Sequence, residues 1–254
     1  MNRVTVGFAT ECDPAGKPKE AAMEWISASS TRNCLLADPL IDWLRLHSEA
    51  KGFVQDSATE GYDPRLEFSR FVMAKRLAFE QAILKHIETL ADVLAIAQDP
   101  RDIRDPAMAE RTRAAMAAGQ QVIYQGVLHH AESETYGAAD LLFHSDILAT
   151  LFPGTMTAEA AATNAPALGP EPWHYVVVDA KFTTVHLNAA GLVGNSGSSP
   201  AYKGQLYVYN RALAAAQGYE PPMGSCSGAA DRRTQASTTR HQRHGPARSR
   251  VHGR

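Results

Sequence analysis

The chain has 254 residues, 44% apolar and 20% charged, a balance that suits a globular core and excludes disorder, collagen or coiled coil as descriptions of the whole. Its formal charge of −2 averages two unlike parts: Ser225–Arg254 holds seven arginines against the single acid Asp231, a local +6, and the other 224 residues carry −8. The scattered Cys12, Cys34 and Cys226 form no CxxC, no basic segment followed by an apolar stretch opens the chain, and no apolar run reaches 18 residues. A disulfide framework, a zinc ribbon, a secretory signal and a membrane span are therefore not expected, and a reducing cytoplasm is.

Residues 1–66 mix Gly, Pro, Asp and Ser clusters with one short amphipathic segment, Pro39–Leu46, expected to cover the core. A helical pattern runs from about Glu67 to Ala97, with Phe79, Ile83, Ile87, Leu90 and Leu94 on one stripe. Its second stripe, Leu77, Leu84, Ile87 and Ala91, includes Glu80, a carboxylate that is costly among apolar neighbours unless paired or bound to a cation. Asp99–Pro106 breaks the pattern, and Ala107–Ala118 reads as a short helix ended by Gly119. Two strands are expected at Gln121–Leu128 and Tyr136–Phe143. After an Ala/Thr/Pro/Gly-rich stretch comes the strongest strand signal, Tyr175–Asp179, which Phe182–Leu187 either continues or follows as a new strand. Asn188–Ser199 reads as a loop, and Pro200–Gln217 as a helix with Pro200 in its first turn and Gly218 at its exit. The expected fold is α/β, a small mixed central sheet flanked by helices.

Asp179-Ala180-Lys181 ends the valine run. Residues i and i+2 of a strand share a face, so carboxylate and ammonium project together, a geometry that holds a metal ion and a cation beside one phosphate. Asp140, embedded before Leu141-Leu142-Phe143, is a second acid in an apolar strand. Beside Asp179 it would give two hard oxygen ligands suited to Mg²⁺; by itself it equally suits a turn cap or an arginine partner. Gln205 and Tyr209, at i and i+4, share a helix face, where such residues also serve simply for packing. His129, His130, His144, His174 and His186 lack zinc-protease spacing, and there is no GxSxG, P-loop or GxGxxG.

In this order, Glu80 on a helix, Gly137-x-x-Asp140, Asp179-x-Lys181 after an apolar strand and Gln205-x-x-x-Tyr209 on the next helix resemble the RecB-like branch of the PD-(D/E)XK nuclease superfamily. The conjunction is far more specific than any one member, and it spans about Glu67 to Tyr219. The resemblance implies a restriction-endonuclease-like core, with a helix, three strands, a helix and a last strand around a metal site, occupying residues 67–223. It implies that Asp140, Asp179 and the Ala180 carbonyl bind Mg²⁺ or Mn²⁺, with Glu80 completing or supporting the shell. Lys181 would orient the attacking water, and Gln205 and Tyr209 would position the strand or brace the site. The implied activity is metal-dependent hydrolysis of single- or double-stranded DNA, with exonuclease polarity among the options. Scattered cysteines provide no iron–sulfur cluster. The strands of Asp140 and Asp179 must pair across a connection of 38 residues.

Two alternatives accompany this reading. One is a catalytically silent nucleic-acid-binding or assembly module, motivated by the acidic body and its gathered bases Arg70, Lys75, Arg76, Lys181, Lys203 and Arg211. The other is one part of a larger multidomain nuclease, working with other domains or subunits of a DNA-processing system. Residues 224–254 contain no Leu, Ile, Phe, Tyr or Trp and read as a disordered basic tail, either a nucleic-acid-binding arm or an unstructured terminus. Codons for Gly224–Ala230 can be chosen so that a shifted frame reads Gly-Phe-Val-Leu-Gly-Arg-Arg, a plausible strand. The end is accordingly read as frameshift-derived, and the last core strand is expected to be missing, leaving an exposed sheet edge.

Overall fold

The computed structural model describes residues 25–53, 61–185, 193–221 and 225–230. The expectations for the N-terminal residues before Trp25, for His186–Leu192 and for the tail beyond Ala230 lie outside the described residues. Among the described residues no helix is long and apolar enough to cross a membrane.

Strand β1 (Ile26–Ser27) leads through a 3-10 turn into helices α1 (Arg32–Leu35) and α2 (Leu40–Lys51), followed by α3 (Phe68–Glu88). Then come β2 (Val93–Ala95), α4 (Pro106–Ala117), and the hairpin of β3 (Val122–His130) with β4 (Thr135–His144). Short helices α5 (Ser145–Leu151) and α6 (Ala158–Ala161) occupy the long connection to β5 (Tyr175–Val185), after which α7 (Ser199–Gln217) and β6 (Ser225–Ala230) complete the order. Asp105 starts α4 by accepting the Ala107 N–H, with Pro106 in the first turn, where its missing N–H costs nothing. Gly218 leaves α7 at φ +72°, a left-handed exit that glycine adopts without strain.

The sheet runs β2-β3-β4-β5-β6, with β1 paired to β4 off this path. β3, β4 and β5 are successive antiparallel neighbours, whereas β2 joins β3 and β6 joins β5 in parallel. The fold is thus mixed α/β. Strand alternation divides the apolar side chains between two faces. Val127, Leu142, Tyr175 and Val177 pack with Met116 of α4 and Ala212 and Leu213 of α7. On the other face Val122, Leu141, Phe143, Val176 and Val178 pack with Ile87 of α3 and Leu148 of α5.

Three sequence expectations are corrected. The helix over 67–97 ends at Glu88, and Val93–Ala95 instead forms a strand, because its main chain pairs with Val122–Tyr124. Leu90 and Leu94 consequently leave the helical stripe. Second, α2 does not cover the core: it buries no residue, and Leu40, Trp43 and Leu46 are exposed. Trp43 finds His47 and Phe53 instead, and among the described residues of this part of the chain the buried one is Ala28. Third, the strand expected to be missing is present, with Ser225–Ala230 paired in parallel to Val178–Val185. A ladder needs only main-chain groups, so a segment without β-branched residues can occupy it. Residues 225–230 are thus ordered within the stretch read as a disordered tail. Of the two readings given for Phe182–Leu187, its described part, Phe182–Val185, takes the first and continues β5.

Candidate active site

The β4–β5 ladder closes at Leu141↔Val178, one step short of Asp140 and Asp179. Continuing that register places the two aspartates opposite each other, both with the parity of the face that carries α7. Main-chain pairing gives way there: the Asp140 carboxylate accepts the N–H of Ala180 through Oδ2 at 2.9 Å. The 38 connecting residues do not prevent the strands from pairing, because α5 and α6 are packed at the end of β4.

On the other side of Asp140 the β3–β4 ladder skips a step, passing from Tyr124↔Leu141 to Gly126↔Ala139. The unpaired residue, Gln125, has φ +51°, an unusual conformation for a non-glycine residue. It turns its amide toward the gap, where Nε2 donates to Asp140 Oδ1 at 3.3 Å. Sequence reasoning missed Gln125; the only signal was a polar residue and a glycine interrupting an apolar strand.

Asp179 is fully buried and Lys181 nearly so. Lys181 Nζ donates to Asp179 Oδ1 at 2.9 Å and to Gln205 Oε1 at 3.0 Å, and Gln205 Nε2 donates to the Tyr209 hydroxyl at 2.9 Å. The i, i+2 spacing on β5 and the i, i+4 spacing on α7 thus join in one hydrogen-bonded chain. Nζ also approaches Asp179 Oδ2 to 2.7 Å as an ion pair, but without the alignment of a hydrogen bond, so among the described residues this buried oxygen has no hydrogen-bond donor. Burial raises the Asp140 carboxyl to about 7, and the adjoining Asp179 adds to the rise. Burial likewise pushes the Tyr209 phenol up, keeping it protonated.

Gly137 links the two motifs. A Cβ there would lie 2.5 Å from Tyr209 Cε1 and 3.2 Å from Ala28 Cβ, so the aromatic ring of the second motif packs where the first has no side chain. Glu80 reaches the same cavity as Asp140, Gln205 and Tyr209, but its Oε1 accepts from Arg76 Nε at 2.6 Å. Burial works against the Arg76 charge, yet Glu80, followed by Asp140 and Asp179, raises its pKa. Arg76 was grouped in sequence only with other bases; its role beside Glu80 rests on i, i+4 spacing. The cavity encloses about 520 Å³, and a second of about 220 Å³ adjoins Lys181. Of the other bases gathered in sequence, Arg70 meets Glu67, Lys203 meets Asn195 and Arg211 meets Glu220.

The donor set fits a hard divalent cation. Asp140 and Asp179 offer carboxylates on adjacent strands, one with a buried oxygen that accepts no hydrogen bond from the described residues. Among the described residues no three His, Cys, Asp or Glu side chains converge as a ligand group, and Glu80 stands with Arg76 rather than with the two aspartates. Comparison of the chain with family models, curated proteins and solved structures found no match.

Proposed function

We propose that the chain is a metal-dependent nuclease of the RecB-like, restriction-endonuclease-like type that hydrolyses phosphodiester bonds of DNA. The observation that carries this reading is the chain Asp179–Lys181–Gln205–Tyr209 lying across from Asp140. Once β2 and the intervening helices α4, α5 and α6 are set aside, the succession α3, β3, β4, β5, α7, β6 supports it further, as helix, three strands, helix and strand.

Asp140, Asp179 and the Ala180 carbonyl would hold Mg²⁺ or Mn²⁺, which when bound supplies acidification of water and neutralisation of phosphate charge. Lys181 orients the attacking water and offsets charge that develops on the phosphate, in a site dry enough for that charge to count. Gln205 fixes the ammonium, because its amide is oriented at both ends: Oε1 accepts from Lys181 and Nε2 donates to Tyr209. The water oxygen bonds to phosphorus, the bond to the leaving sugar oxygen breaks, and the products are a phosphomonoester and a hydroxyl.

The test is Mg²⁺- or Mn²⁺-dependent degradation of DNA by the intact protein, Asp179→Ala and the near-isosteric Asp179→Asn. Both substitutions are expected to lower the rate at least about 10²–10³-fold. An active parent whose activity survives both would refute the assignment. One observation favours a catalytically silent binding module: Lys181 already neutralises Asp179. DNA affinity without Mg²⁺ or Mn²⁺ binding would establish that reading instead.

A further inference from the structure

Two arginines outside the motifs flank the centre. Arg104, beside the larger cavity, donates from Nε to the Tyr136 hydroxyl at 2.8 Å and lies 5.5 Å from that ring's centroid. Arg32, beside the smaller one, donates from Nη2 to Ser198 Oγ at 3.0 Å and lies 5.9 Å from the Tyr202 ring. Each guanidinium is steadied by one neutral hydrogen bond and one aromatic face, leaving most of its five donors for another acceptor. Among the described residues neither forms a salt bridge with an acid, nor does Arg111 on helix α4, whereas Arg45, Arg65, Arg70, Arg76, Arg101, Arg113 and Arg211 all do; of the three, Arg32 and Arg104 line the cavities. A planar fork held ready without a carboxylate is suited to a phosphate.

The two cavities share Ala28, Ser29, Arg76 and Gln205 as walls; Asp140 opens on the larger and Lys181 on the smaller. Arg104 thus shares a cavity with Asp140, Arg32 shares one with Lys181, and the two cavities have walls in common. Asp179 has no exposed surface and Asp140 and Lys181 very little, so a scissile phosphate must come down to them. A single strand, whose backbone bends freely, can do this, whereas a paired duplex holds its phosphates on a stiff cylinder.

Resting on the nuclease reading, we propose that the two cavities form one track for a single nucleic-acid strand, in which Arg104 and Arg32 hold the phosphates on either side of the one delivered to Asp140, Asp179 and Lys181. Both arginines are exposed, so replacing them leaves the core intact.

The experiment measures binding of a fluorescent single-stranded oligonucleotide to the full chain in EDTA, from 50 to 300 mM salt, for the parent, Arg32→Gln, Arg104→Gln and the double variant. Any contribution of the basic C-terminal residues is common to all four proteins. Each single substitution is expected to weaken binding roughly five- to tenfold and to reduce the slope of log K against log salt by about 0.7, the double variant by about twice that. Arg104→Lys keeps the charge but loses the fork, and is expected to retain the slope with part of the affinity. An unlabelled duplex should compete weakly.

Parental affinity and slope in both single variants would overturn the proposal, as would a parent that does not bind the strand or a duplex that competes equally. The nuclease reading is scored separately. Loss of the slope in the variants of a protein that degrades no DNA with Mg²⁺ or Mn²⁺ would support the track and refute the hydrolysis. Metal-dependent cleavage with unchanged binding in the variants would do the reverse.

Discussion

Helices α7 and α3 are similar in length and both set apolar residues at helical spacing, yet they meet the sheet differently. α7 buries Ala201, Tyr209, Ala212 and Leu213, whereas α3 buries only Ile87 and leaves Phe68, Phe71, Met73 and Leu77 exposed among the described residues. The small residues of α7 allow close approach, and the site was built on that side: Gln205 and Tyr209 lie on the helix whose position is fixed by packing. A periodic pattern reports that an apolar face exists; only the tertiary fold determines what that face meets.

The largest expected effect tests this contrast directly. Leu213→Ala should cost about 2–5 kcal/mol, since the side chain is fully buried between α7 and the sheet. Leu77→Ala, at an exposed position of α3, should stay within about 0.5 kcal/mol. Urea unfolding of the two variants measures both, and similar losses would mean that the exposed half of α3 is packed in solution.

A smaller effect sharpens the contrast at the site. Gly137→Ala inserts a methyl where the Tyr209 ring lies, with the Ala28 methyl close by. Overpacking of this kind should cost about 1–3 kcal/mol. Because Tyr209 accepts from Gln205, which accepts from Lys181, the same substitution should lower metal-dependent DNA degradation while leaving metal affinity near the parental value. Stability and activity equal to the parent's would mean that the ring does not need that space.

These residues also mark how far the sequence could be read. The placement of Asp179 with Lys181 and of Gln205 with Tyr209 was legible because each pair obeys a local spacing, i to i+2 on a strand or i to i+4 on a helix, and that of Asp140 because an acid interrupts an apolar strand. The valine run gave β5, and the proline and glycine at its ends gave α7. What was not legible depends on partners distant in sequence. Val93–Ala95 continued a helical stripe on paper and became a strand through main-chain pairing with Val122–Tyr124. Ser225–Ala230 was read from composition, which speaks of burial, whereas its place rests on a main-chain ladder. Gln125, Arg104 and Arg32 carry no motif at all, and they reach the site only because β3, the turn before α4, and α1 converge there. The bland reading of Asp140 as a cap or an arginine partner is also answered: its carboxylate receives Ala180 N–H and Gln125 Nε2.

A third expected effect is read against pH and concerns the proton on Asp140. Its carboxyl keeps a proton up to about 7 in the folded, metal-free protein, through burial and then the Asp179 charge, and gives it up near 3.8 when unfolded. Between these values the native state binds more protons than the unfolded state, so stability falls as pH rises. The contribution is fully present below 3.8 and lost once pH passes about 7. Thermal midpoints in EDTA from pH 4 to 8, compared between the parent and Asp140→Asn, isolate this group from the other acids, because asparagine stays neutral throughout. The thermal midpoint of the parent should fall relative to that of the variant as pH rises over that range. Added Mg²⁺ or Mn²⁺ should restore the loss at pH 8 in the parent only, since a cation replaces the proton between the two carboxylates. Parallel pH curves for the two proteins would place the buried proton elsewhere, away from the centre that α7 packs around and that the Arg76–Glu80 pair of α3 faces across the cavity.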